Sequence, residues 1–164
     1  MQQPIYKNPN VPDTNQIYRT SILVWAAMLF SQLMFLVVVL LARPKIFNFG
    51  TRTSGDGSNQ DLLLALNPVM IILGVLGLAT VAVSFVLKSR MLKLAIDNKQ
   101  IGLVPTAQIL AYALCEATTL FGLFIALAFN SPLFFAWFAV GVTGILLHFP
   151  RRNDFAAASF TGIN

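Results

Sequence analysis

The chain has 164 residues, of which 57% are hydrophobic and 10% charged, against about 25% charged in an ordinary soluble domain. That balance argues against a soluble globular protein, and continuous apolar runs such as LVVVLLA and FGLFIALAF argue against a membrane β-barrel, whose strands alternate apolar and polar residues. The net charge of +5 does not point to nucleic acid, because the Lys and Arg residues flank the apolar runs, where they anchor and orient membrane helices.

Residues 1–18, MQQPIYKNPNVPDTNQIY, hold three prolines and little apolar content, which predicts an exposed tail. A first span follows over residues 21–42, long enough to cross a hydrocarbon layer of roughly 30 Å. It ends at Arg43-Pro44 rather than at a small-residue cleavage site, so it reads as a retained anchor. Ser31-Gln32 interrupts it near the centre. An amide facing lipid without a partner is costly, so Gln32 is expected to face another helix.

Residues 43–66 form a polar outer connection whose glycines lack the Lys-Ser or Lys-Thr that a phosphate-binding loop needs. The second span is predicted over 67–87, with Asn67 as cap and Pro68 in the first turn. Gly74, Gly77, Ala79 and Ala82 offer small side chains for a close helix contact. The connection 88–104 is basic. Lys88, Arg90, Lys93 and Lys99 suit the headgroup region, facing lipid or a partner. Gly102 and Pro105 restart the pattern, and the third span covers 105–129.

Asn130-Ser131-Pro132 makes a tight turn, with Ser131 as cap, into a fourth span over 132–149. That span must run antiparallel to the third. His148, Arg151 and Arg152 mark its exit to water, with His148 read as an interfacial anchor, and the tail 150–164 reads as exposed. Eight Lys and Arg residues fall on the side of the termini and the 88–104 connection, and three on the other. The excess places both termini in the cytoplasm.

Glu116 is the one charged residue within these four spans, near the middle of the third. An intramembrane carboxyl is a functional hypothesis by default. Residues three and four apart share a helix face, which groups Gln108, Tyr112, Glu116 and Thr119 in one stripe. Leu120 and Leu123 continue that face, so polarity stops near mid-depth, as in a route open from the cytoplasmic side only. Two roles stay open: proton binding, or a hydrogen bond to Gln32 or a backbone carbonyl that holds the helices together. The lone charge favours a subunit over an autonomous transporter.

There is one cysteine, Cys115, which reads as a packing residue and excludes a cysteine metal cluster. No His cluster, carboxylate pair or Ser-His pair at one depth is foreseen, so no enzyme activity, metal or cofactor is expected.

The segment IDNKQIGLVPTAQILAYALCEATTLFGLFIALAFN carries Ala113, Glu116 and Ala117, then Phe121, Gly122 and Leu123, with Lys99-Gln100 in the preceding loop. Over residues 98–130 it resembles the carboxyl-bearing hairpin of the proteolipid subunit c of rotary ATP synthases. The resemblance implies that Glu116 is a proton-carrying carboxyl and the target of carbodiimide reagents, and that the chain assembles into a ring.

The expectation is therefore an all-α integral membrane protein forming one membrane domain, with four transmembrane helices and both termini cytoplasmic, in a cell inner membrane. Its function is that of a structural or accessory subunit of a larger membrane complex, with a subunit-c-like proton-translocating component as the alternative. The expected partners are the lipid bilayer, other membrane subunits and further copies of the chain, without nucleic acid.

Overall fold

A computed structural model describes residues 14–47 and 68–159. These form five α-helices: α1 Thr14–Ala42, α2 Pro68–Asp97, α3 Leu103–Phe129, α4 Phe134–Leu147 and α5 Arg152–Ser159, with a 3-10 turn, Pro44–Phe47, after α1. No strand occurs among the described residues. By length and composition α1, α2 and α3 can each cross a membrane, while α4 qualifies only jointly with α5, from which it is bent by 46°. Pro150 lies in that bend, and a proline there supplies no N–H to continue the helix. Among the described residues the fold is all-helical, with three to four candidate spans.

The helix α3 forms the centre. Its buried face carries small side chains at helical spacing, Ala107, Ala111, Cys115, Gly122 and Ala126, and α2 and α4 close on it through glycines. A Cβ at Gly77 of α2 would stand 3.2 Å from the Thr118 methyl, and one at Gly144 of α4 would stand 2.7 Å from Cys115 Sγ. One at Gly141 would collide with Thr119 Oγ1. Such contacts let backbones approach and gain van der Waals packing where lipid supplies no hydrophobic force between helices. Of the four small residues expected to do this on α2, Gly74 and Gly77 are buried, whereas Ala79 and Ala82 are exposed.

The helix α1 runs parallel to α3. Ser31 meets Glu116 halfway along, and Val39 joins Ala126 and Phe134 in an apolar cluster nearer the far end. At the near end Ala95, Val104, Phe155 and Ala158 form a second cluster, with Ile17 and Tyr18 packed against it. The start of α1, the α2–α3 connection and α5 therefore gather at one end of the bundle.

Both tails depart from expectation. Residues 14–18 are helical, and the segment expected to be exposed after residue 150 contains α5, with Phe155 and Ala158 buried. The cause is mutual cover: the Tyr18 ring stands edge-on to Phe155 at 5.6 Å, and the Arg152 guanidinium lies 5.0 Å over the Tyr18 ring. Helix α2 continues to Asp97, so most of the basic connection is helix and the turn is confined to the residues around Lys99, at φ 53. After α3, Asn130 adopts a left-handed conformation and its N–H reaches Ala126 O, a common helix stop. The Ser131 hydroxyl accepts from Leu133 N–H at 3.3 Å. The proposed cap Asn67 and most of the outer connection lie outside the described residues.

Candidate functional site

Glu116 is half-buried on the α1 side of α3. Ser31 Oγ of α1 donates to its Oε1 at 2.7 Å and also lies 2.8 Å from Met28 O of its own helix. A serine hydroxyl has one hydrogen, so the two acceptors share it. A protonated Glu116 would give each contact its own hydrogen, donating to Ser31 Oγ while Ser31 donates to Met28 O. The pair can therefore hold the carboxyl in either protonation state.

Gln32, expected to pair with another helix, has no hydrogen-bond partner for either amide atom, although it is 1% exposed. Ser31 takes that place. Neighbouring residues on a helix point about 100° apart, so when Ser31 faces Glu116, Gln32 cannot. Gln108 is also buried with its amide unpartnered, as are the hydroxyls of Ser21 and Thr119. All four residues belong to α1 or α3.

The predicted stripe on α3 is divided between two neighbours. Glu116 turns to α1, whereas the Tyr112 hydroxyl donates to His148 O at 3.3 Å and Thr119 Oγ1 faces Gly141 of α4. Tyr112 and Glu116 lie one turn apart, with Tyr112 bonded away from the carboxyl.

The sequence reading missed a polar junction around His148. His148 is buried, not an interfacial anchor in water. Its Nε2 is 2.9 Å from Ser84 Oγ, which also lies 2.6 Å from Val81 O, and the imidazole tautomer sets which of the two groups donates. The Phe85 ring covers the imidazole at 4.3 Å, and Lys88 Nζ donates to His148 O at 3.3 Å. A Ser-His pair at one depth thus exists, contrary to expectation. The available signal was the run Gly77, Ser84, Lys88 down one face of α2, ending in a cation.

Of the four basic residues singled out, Arg90, Lys93 and Lys99 are exposed, and Lys88 is half-buried against His148. Among the described residues no group of three or more His, Cys, Asp or Glu side chains is placed to hold a metal.

Among the described residues, these features define an all-helical protein of three or four candidate spans with a half-buried carboxyl held between α1 and α3. No protein-family model, curated protein or solved structure matches it.

Proposed function

We propose that the chain is a non-enzymatic inner-membrane protein of four spans, both termini cytoplasmic, serving as a structural or accessory subunit of a larger membrane complex. The observation that carries this reading is the Ser31–Glu116 contact at 2.7 Å, a polar pair that joins α1 to the centre of the bundle. Long apolar side chains such as Leu23, Phe30, Leu41, Ile72 and Val75 stay exposed on α1 and α2, a surface suited to lipid and to neighbouring helices. The gathering of the start of α1 and of α5 with the basic α2–α3 connection supports an even number of crossings.

A second reading makes Glu116 a proton-binding carboxyl, as the resemblance to subunit c implies. It is favoured by the shared serine hydrogen, because the Ser31 contact accommodates both the charged and the neutral acid.

The two readings part at Glu116→Gln, which keeps an acceptor for Ser31 but cannot ionise. Co-purification from native membranes in mild detergent and proton uptake into proteoliposomes are measured together. The accessory reading expects neither to change. Loss of proton uptake with assembly intact establishes the second reading, and recovery of the wild-type protein as a lone monomer overturns the first.

A further inference from the structure

Helix α3 is packed on three sides and open on a fourth. On its buried face Gly141 and Gly144 of α4 meet Thr119 and Cys115. Thr80 of α2 is hydrogen-bonded to Thr118, and Ser31 of α1 to Glu116. The remaining face carries Ile109, Leu120 and Phe124, which are 45%, 44% and 51% exposed, with exposed Ala113 and half-buried Ala117 among them.

Glu116 borders that open face, within about 60° of both Ala113 and Leu120 around the helix. Its Oε1 takes the Ser31 hydrogen. Oε2 has no hydrogen-bond partner, yet it is not one of the enclosed polar atoms, so it opens at the surface of the bundle. Glu116 stands halfway along α3, where a membrane offers neither donor nor acceptor. Ionisable groups at such depth face a bundle interior or pair with another polar group, so Oε2 needs a partner from outside this chain.

Symmetry and hydrogen-bonding capacity select that partner. Copies inserted with one topology lie parallel, so a two-fold axis along the membrane normal brings each residue to the depth of its own counterpart. A protonated carboxyl is donor and acceptor at once, and therefore complements itself. Each Oε2–H can donate to Oε1 of the other copy, whose second lone pair still accepts from Ser31. Ala113 and Ala117 leave room for the two helices to come that close.

We propose that the open face of α3 binds a second copy of the chain, in a two-fold pair centred on Ala113, Glu116 and Ala117, with the two carboxyls bonded to each other. Such a contact closes at two copies and does not extend into a ring. The inference deepens the accessory-subunit reading by naming one neighbour of this span, and it rests on that reading for the membrane crossing of α3.

The test places Ala113→Cys in a Cys115→Ala background, which leaves no other cysteine. The full chain is reconstituted at low density in phosphatidylcholine–phosphatidylglycerol vesicles and oxidised with copper–phenanthroline. A two-fold pair sets residue 113 against its own counterpart, which a head-to-tail contact does not. The disulfide-linked dimer is expected to form several-fold faster than with Thr143→Cys, which is exposed on α4 beside the Gly144 that packs on Cys115. Glu116→Gln, whose amide also donates and accepts, should keep the faster rate. Glu116→Leu and Ala117→Phe should each lower it to that of Thr143→Cys, and Ala117→Phe keeps both Glu116 and Ser31, so it answers for any folding defect in Glu116→Leu. Equal rates at 113 and 143, or a rate at 113 that neither variant lowers, overturns the proposal. So does crosslinking of position 113 to a different polypeptide in native membranes. Fast crosslinking at 113 in a pair recovered with no other protein upholds the interface and rejects the accessory reading. Other subunits recovered with a chain that does not crosslink at 113 do the reverse.

Discussion

At the scale of single residues, the Ser31–Glu116 contact is the cheapest to probe. Polar pairs between membrane helices contribute about 0.6–1.7 kcal/mol. Ser31→Ala is therefore expected to lower resistance to unfolding in sodium dodecyl sulfate by about that amount, measured by circular dichroism, with Gln32→Leu neutral or stabilising because its amide has no partner to lose. Glu116 stood out in the sequence as a solitary acid in an apolar run. Its partner did not, because adjacent Ser31 and Gln32 are both polar and only the rotation of α1 about its axis decides which faces α3. His148 was misread for a related reason. A lone imidazole beside Arg151 and Arg152 looks like a headgroup anchor, yet its burial comes from Ser84 and Phe85, more than sixty residues earlier.

Among the elements, α5 shows how two weak segments order each other. Eight residues are too few for an isolated helix to persist in water, and NDFAAAS has little apolar content. The helix persists because Phe155 and Ala158 enter the cluster with Ala95 and Val104, while Tyr18 of α1 covers Phe155. Read separately, residues 14–18 and 152–159 each look like solvated tail, since neither stretch alone can bury enough apolar surface. Large-to-small changes at fully buried Phe cost about 3–5 kcal/mol, more than so short a helix can sustain. Phe155→Ala should therefore release α5 and speed tryptic cleavage after Arg151 and Arg152, followed by mass spectrometry, while leaving the spans protected. The long helices were legible from apolar length. α4 was less so: fourteen residues span about 21 Å, and it is the glycines at 141 and 144, pressed on α3, that secure it.

For the whole molecule, the distribution of Lys and Arg and the clustering of the start of α1 with α5 make one prediction together. Gly102 is exposed, with nothing within 4 Å of where a Cβ would stand. In a Cys115→Ala background, Gly102→Cys should stay unlabelled by an impermeant maleimide in right-side-out vesicles until the membrane is permeabilised. Labelling of intact vesicles would invert the topology. The parallel course of α1 and α3 also has a bearing on synthesis. The Trp25 indole donates to Ile145 O, 120 residues further along the chain, and Arg43 donates to Leu127 O. At translation speeds of about 5–20 residues per second, the first helix waits on the order of ten seconds for the carbonyl that receives its indole. During that interval the Ser31 hydroxyl has only Met28 O of its own helix and the Gln32 amide has no partner, so both are available to whatever polar helix the insertion machinery or a nascent neighbour presents first.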